Sequence, residues 1–157
     1  MNLDPSTFRE PLLALYAELD AEIRRLGPKC DLSGRCCRFV EYGHTLFLSE
    51  PEAALLVSDA PPPSRLVDDG ATCPWQDDRG HCTAREARPI GCRVYFCDPN
   101  YETNAPGLSE AFIARLKTLV NDLALPWNYA RLHRHLEDMI EQGWSPRRAS
   151  FDPMILP

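Results

Sequence analysis

All seven cysteines of this 157-residue chain lie between residues 30 and 97, in a stretch rich in Pro, Gly, Asp and Arg. They form two groups, C-x5-C-C at the start of the stretch and C-x8-C-x9-C-x4-C at its end. Because the stretch shows no sustained hydrophobic period, it needs another source of order inside a compact domain. Cysteines that serve only as small core residues would also occur on the helical stripes that flank it, and none does. The pattern therefore favours a metal site whose candidate ligands are Cys30, Cys36, Cys37, Cys73, Cys82, Cys92 and Cys97.

Amphipathic patterns flank the cysteine segment on both sides. On the N-terminal side, apolar residues recur every three or four positions, which predicts a helix over residues 6–26 that ends at Gly27-Pro28. On the C-terminal side, two further stripes predict helices within residues 109–143, the first capped by Ser109 and the two separated at Pro126. Because the break is short, we expect these two helices to pack as an antiparallel pair.

Within the cysteine segment there is one short helix signal. The sequence SEPE at residues 49–52 has the spacing of a capping box with proline in the first turn, and residues 45–48 before it suit a short strand. The predicted fold class is mainly α with little β, in a single domain over residues 1–157. In this prediction, an irregular, metal-organised segment at 27–104 packs on the N-terminal helix and on the C-terminal helix pair. Residues 145–157 form a tail.

Composition and charge exclude several classes of partner. The net charge is −6 and no run of Lys or Arg is long enough to follow a phosphate backbone, so we expect no nucleic acid partner. No apolar run approaches the roughly 20 residues that span a bilayer, and the first residues lack the apolar core of a secretory signal. The sequence therefore predicts a cytoplasmic protein without a membrane segment. In that reducing compartment an odd number of thiols does not suit a disulfide framework.

Positive and aromatic residues accompany the cysteines. Four thiolates around a divalent ion leave a net charge near −2, which calls for cations nearby. Arg38 and Arg93 directly follow Cys37 and Cys92, and we expect both to compensate thiolate charge. Further cations within a few residues of a cysteine are Lys29, Arg35, Arg79, Arg85 and Arg88. Trp75, Tyr95 and Phe96 are expected to pack over the site, and Asp77-Asp78 to form a solvated turn before Gly80.

The cysteine motifs also carry a resemblance to a known family. In order, the chain shows CCRF, LFLSEPEAALL, CPW and GHCTAREARPIGCRVYFC. Over residues 30–97 this resembles the YkgJ-type cysteine-cluster family of zinc- or iron-chelating domains. The related flagellin lysine N-methylases carry a similar cluster associated with an iron–sulfur centre, so the resemblance implies an iron–sulfur cluster ([4Fe–4S]) or Zn²⁺ here. That family has two spaced cysteines before the CC pair, whereas only Cys30 precedes it here.

The number of thiols allows more than one metal arrangement. Four thiolates complete one tetrahedral zinc or one [4Fe–4S] cluster and leave three cysteines over. Two zinc ions that share one bridging thiolate would use all seven. His81 or His44 is a candidate for an eighth ligand, whereas His133 and His135 are two positions apart on a helix and are not expected to be ligands.

Three functions are consistent with these observations. The first is a cytosolic metal-binding cysteine-cluster protein. The second is an iron–sulfur redox or methyl-transfer-related enzyme with an open coordination position, although the chain has no glycine-rich cofactor loop. The third is a zinc-stabilised adaptor that binds an unidentified protein partner through the C-terminal helix pair and the tail. The sequence leaves open whether the chain is an enzyme.

Overall fold

A computed structural model describes residues 3–29, 33–67 and 70–146. The chain is mainly helical with one small antiparallel sheet, which confirms the predicted fold class at that level. Helix α1 spans Pro5–Leu26, close to the predicted 6–26. Asp4 caps it by accepting the Ser6 N–H, and Gly27 ends it in the left-handed conformation at φ 65°, which glycine adopts without strain.

The short helix α3 has the predicted cap. It spans Glu50–Asp59, and its capping box is complete: the Ser49 hydroxyl accepts the Glu52 N–H, while the Glu52 carboxylate accepts the Ser49 N–H. Strand β1, Phe47–Ser49, leads directly into it, as the sequence predicted within a residue or two. The two elements therefore follow from local chemistry.

The C-terminal region differs from the prediction in its details. Helix α5 spans Ala105–Asp122 with a proline in its first turn, so Ser109 lies inside the helix and is not its cap. A strand that was not predicted, β2 at Tyr129–Arg131, pairs antiparallel with β1. Helix α6, Leu132–Glu141, follows it at once.

The cysteine segment is ordered by single helical turns, which the sequence pattern did not predict. They are the 3-10 turns Arg35–Cys37 and Arg85–Ala87 and the four-residue helices α2, Phe39–Tyr42, and α4, Ile90–Arg93. Each is too short to produce a hydrophobic period, which explains why the pattern missed them.

The described residues form two hydrophobic clusters. The first joins α1 and α5 with Leu55, Ile90 and Val94, and we call it the helical layer. The second surrounds Trp75 and includes Cys37, Cys73 and buried residues of α6. Because α5 packs on α1 and α4, whereas α6 packs on α3 and β2, the predicted antiparallel pair of C-terminal helices is wrong. Pairing of β2 with β1 carries α6 to the other cluster.

Three further predictions concern the C-terminal tail, Cys30 and membrane-spanning helices. Of the predicted tail, residues 147–157 lie outside the described residues, as does Cys30. Among the helices that are described, none has the length and apolar character needed to cross a membrane.

Candidate metal centre

All six cysteines within the described residues line one cavity of about 100 Å³. They come from both sequence groups: Cys36 and Cys37 from the first, and Cys73, Cys82, Cys92 and Cys97 from the second. Each carries a free thiol. Trp75, Tyr95 and Phe96 also line the cavity, where the sequence placed them, together with the aliphatic side chains of Leu46, Leu56 and Leu132.

Hydrogen bonds hold the CC pair against the loop that carries Cys73 and Cys82. The Cys73 N–H donates to the Cys37 carbonyl at 2.8 Å. The buried Gln76 amide donates to the carbonyls of Gly34 and Gly80, at 3.0 and 3.1 Å. A side chain at Gly34, which has φ 73°, would overlap the Gly80 carbonyl, so this close approach requires glycine. The CC pair and the loop that carries Cys73 and Cys82 are thus joined by a backbone hydrogen bond and by the Gln76 side chain.

The loop from Cys73 to Cys82 is a tight hairpin-like turn. Gln76 and Cys82 form an isolated antiparallel bridge, and the Thr83 N–H donates to the Trp75 carbonyl at 2.8 Å. At the tip, the Asp77 carboxylate accepts the N–H groups of Arg79 and His81, both at 2.9 Å. Asp77 is therefore a turn residue, as the sequence predicted, and the turn brings both cysteines to the same cavity.

The remaining two cysteines approach from α4 and the chain that follows it. Cys92 lies in α4, and the Cys97 Sγ lies 3.8 Å from the Ser33 Oγ. Tyr95 closes this side of the cavity, with its ring stacked on His44 at a centroid distance of 5.1 Å.

The thiols interact with one another inside the cavity. The Sγ atoms of Cys36 and Cys37 are 3.9 Å apart. Hydrogen bonds from Cys37 lower the pKa of Cys36 to about 7 and that of Cys82 to about 6. The same contacts, with a further one to Cys73, raise the pKa of Cys37 itself. Burial raises the pKa of Cys92, and the thiols around it add to that increase.

Two of the arginines named from the sequence do not reach the cavity. The Arg38 guanidinium donates to the carbonyl of Ser33 at 2.6 Å and pairs with Glu41. Arg93 is buried and bonds to Asp20 of α1 at 2.7 Å. The prediction that both compensate thiolate charge is therefore wrong, because each guanidinium has carbonyl and carboxylate partners elsewhere.

Among the described residues, the arginines that line the cavity are Arg85 and Arg88. The Arg88 charge lowers the pKa values of Cys36, Cys82 and Cys92, although other causes are larger for each thiol. Both arginines belong to the group that the sequence named for its nearness to cysteines.

The four histidines differ in their position relative to the cavity. His81 is exposed and lines the cavity, so it remains a candidate ligand. The His44 Nε2 lies 3.1 Å from the Cys36 carbonyl oxygen. On α6, the His135 Nε2 lies 2.8 Å from the Leu48 carbonyl oxygen, and both His133 and His135 are buried outside the cysteine cavity.

The donor set suits soft metal centres, although the described side chains form no complete ligand group. Thiolate sulfur favours zinc and iron–sulfur clusters. In a tetrahedral zinc site the sulfur atoms lie about 3.8 Å apart, as Zn–S bonds of about 2.3 Å require, and the Cys36–Cys37 separation of 3.9 Å is close to that value. Among the described residues, however, no three His, Cys, Asp or Glu side chains are arranged to hold a single ion.

Sequence reasoning missed Gly34, Gln76 and Ser33, which shape or contact the site. Gln76 follows the CPW motif without any polar pattern that singles it out, and its two acceptors become close only in the folded chain. Comparisons of the chain with protein-family models, with curated proteins and with solved structures give no match. Any inference about the function of this chain therefore rests on the chemistry of the cavity.

Proposed function

We propose that this chain is a metal-binding cysteine-cluster protein of the YkgJ type, whose thiols bind an iron–sulfur cluster or zinc. The observation that carries the proposal is that the six described cysteines, from two separate parts of the sequence, line the same cavity. Thiols gathered for packing alone would not need arginine beside them, whereas thiolates bound to a metal do. Arg85 and Arg88 provide that charge here.

The size and lining of the cavity agree with a bound inorganic centre. A cavity needs roughly 10–15 Å³ to hold one water, so about 100 Å³ has room for several atoms. The space therefore suits an inorganic centre of more than one atom. Trp75 and Phe96 would exclude water from such a centre, and the Cys37 thiol interacts with those of Cys36, Cys73 and Cys82.

The proposed compartment is the cytoplasm. All six described cysteines are unpaired, and a reducing compartment keeps thiols unpaired and available to a metal. The metal would then supply part of the free energy that orders the segment, as in small structural zinc domains.

Anaerobic purification followed by elemental and acid-labile sulfide analysis tests the proposal. We expect stoichiometric metal. Iron with equimolar sulfide and a brown colour would identify an iron–sulfur cluster, and a colourless zinc-loaded protein would identify zinc. A fully folded protein that contains no metal and takes up neither ferrous iron with sulfide nor zinc would refute the proposal.

An enzyme with an open coordination position is the second candidate, and the number of thiols allows it without requiring it. Six cavity cysteines exceed the four that saturate one zinc ion or one cluster, and the two left over are too few to saturate a second ion. Single Cys→Ser variants distinguish the two functions: a residue whose loss keeps both the fold and the metal is a candidate reactive position. The adaptor hypothesis relied on an antiparallel helix pair that the described residues do not form.

A further inference from the structure

Helix α4 lies between the helical layer and the cysteine cavity. Ile90 at its start and Val94 directly after its end are buried in the helical layer, while Cys92 between them lines the cavity. A helix of four residues has too few internal hydrogen bonds to be stable alone. Its position must therefore be fixed by contacts with its neighbours.

Glu52 of α3 fixes the start of α4. Its side chain is 1% exposed, and its Oε1 accepts the Ile90 N–H at 2.9 Å and the Tyr16 hydroxyl at 3.2 Å. The other oxygen accepts the Ser49 N–H at 2.9 Å. One carboxyl group thus ties α4 to both α1 and α3.

Arg93 fixes the end of α4 and the turn before it. It is 5% exposed and donates to the Asp20 carboxylate at 2.7 Å, to the Arg88 carbonyl at 2.6 Å and to the Glu86 carbonyl at 2.7 Å. Its guanidinium also lies 4.2 Å from the centre of the Tyr16 ring. Because a planar guanidinium holds several acceptors in fixed directions, it fixes the chain from Glu86 to Arg93 as one unit.

We propose that Asp20 and Glu52 are positioning residues for the thiol site. Acting through Arg93 and the Ile90 N–H, they hold the wall that carries Arg88 and Cys92, so that this wall is in place before a metal binds. The inference rests on the proposed function for its metal readout only. Residues that orient metal ligands typically contribute about 10- to 100-fold to metal affinity.

The test compares two carboxylates of α1. Asp20→Ala removes the partner of Arg93, and Glu18→Ala is its matched control, because Glu18 pairs with Arg115 of α5, which does not line the cavity. Asp20→Asn, which keeps a hydrogen-bond acceptor, is expected to give an intermediate result.

The first readout uses metal-free protein and needs no metal function. Under reducing, native conditions, alkylation by iodoacetamide is followed at each cysteine by mass spectrometry. We expect Asp20→Ala to speed the alkylation of Cys92 by about tenfold while Cys73 keeps its wild-type rate, as opening of α4 alone would produce. Equal acceleration at both cysteines, or none at either, would overturn the inference.

The second readout is the affinity for Co²⁺, measured from the sulfur-to-metal charge-transfer absorption. We expect about a tenfold loss in Asp20→Ala and none in Glu18→Ala. A wild-type affinity in Asp20→Ala would overturn the positioning role while leaving the metal-binding function intact. A further outcome is that the wild-type protein binds neither Co²⁺ nor iron while Cys92 is still alkylated faster in Asp20→Ala than in the wild type. In that case the proposed function would fail, and the positioning of Cys92 by Asp20 would stand.

Discussion

The helical layer and the cysteine cavity lie side by side, yet different interactions order them. In the helical layer, residues such as Leu12, Leu19 and Leu116 are fully buried on long helices, and each helix contributes a continuous apolar stripe. The described segments that carry the cavity cysteines form single helical turns and loops, and their order comes from hydrogen bonds between loops, such as those of Gln76. The first region is specified by a repeated pattern and the second by individual contacts.

This difference predicts how each region responds to substitution and to loss of metal. Apolar burial is distributed over many contacts, so one substitution weakens the helical layer by a limited amount. The cavity wall depends on a few polar contacts and, on our proposal, on a metal. Apart from α4, which Asp20 and Glu52 tie to both regions, we therefore expect the two regions to lose stability independently, with the cavity depending on the metal and the helical layer on its side-chain volume.

Metal removal is the change with the largest expected effect. Chelation under reducing conditions should lower the free energy of unfolding by roughly 5 kcal/mol, less than in small zinc domains because the helical layer has its own core. In hydrogen exchange, the amides of Cys37 and Cys73 should lose protection while those of α1 keep most of theirs. Equal loss in both regions would show that they unfold as one unit and would remove the distinction drawn between them.

Leu19→Ala is the corresponding change in the helical layer. Leu19 is fully buried on α1, so the substitution leaves a cavity and should cost about 3 kcal/mol in chemical denaturation. We expect the metal content per folded molecule to stay at the wild-type value, because the residue does not line the thiol cavity. A variant that folds but loses its metal would contradict the independence of the two regions.

The same contrast explains how much the sequence predicted. The cap at Ser49 and the ends of α1 depend on residues within one or two turns of each other, and both were predicted. The confinement of the cysteines indicated where the candidate site is. Strand β2 was missed because three residues carry no period and gain their partner only from β1. Arg93 was misassigned because Asp20, its partner, lies 73 positions away.

Arg88→Gln tests whether the arginines that line the cavity act on the thiols. Removing this charge makes the thiolate forms of Cys36, Cys82 and Cys92 less favourable, so metal affinity should fall by about tenfold. Arg79→Gln is the control, because Arg79 is as near to a cysteine in sequence but does not line the cavity. Competition titration with a chromophoric chelator measures both, and equal losses in the two variants would argue for an effect of net charge alone.

Glu52 should give the helical layer and α4 a shared dependence on pH. Burial raises the pKa of its carboxyl above the ordinary 4.5, so the folded chain holds this proton more tightly than the unfolded chain does. Its contribution is therefore fully present below about pH 4.5 and is lost as the pH rises through the pKa of the folded state.

Glu52→Gln removes this titration. The lost acceptor lowers stability at every pH, but the decline in stability that Glu52 causes above pH 4.5 should be absent from the variant. Denaturation of both metal-free proteins at a series of pH values checks this. Parallel curves would mean that Glu52 has the same pKa in the folded and the unfolded chain.

Ala124 gives the smallest expected effect and tests the connection between the two regions. It lies between α5 and β2 and has φ 56°, a left-handed conformation that costs alanine roughly 1 kcal/mol and glycine very little. The greater freedom of glycine in the unfolded chain offsets part of that gain, so Ala124→Gly should stabilise the protein by about 0.5 kcal/mol. Since the residue is exposed, no packing contact complicates the comparison.

Hydrogen exchange then shows which amides gain protection in Ala124→Gly. Protection that rises in α5 and in α6 alike would mean that this connection couples the two clusters. A rise in α5 alone would mean that the helical layer opens without the rest.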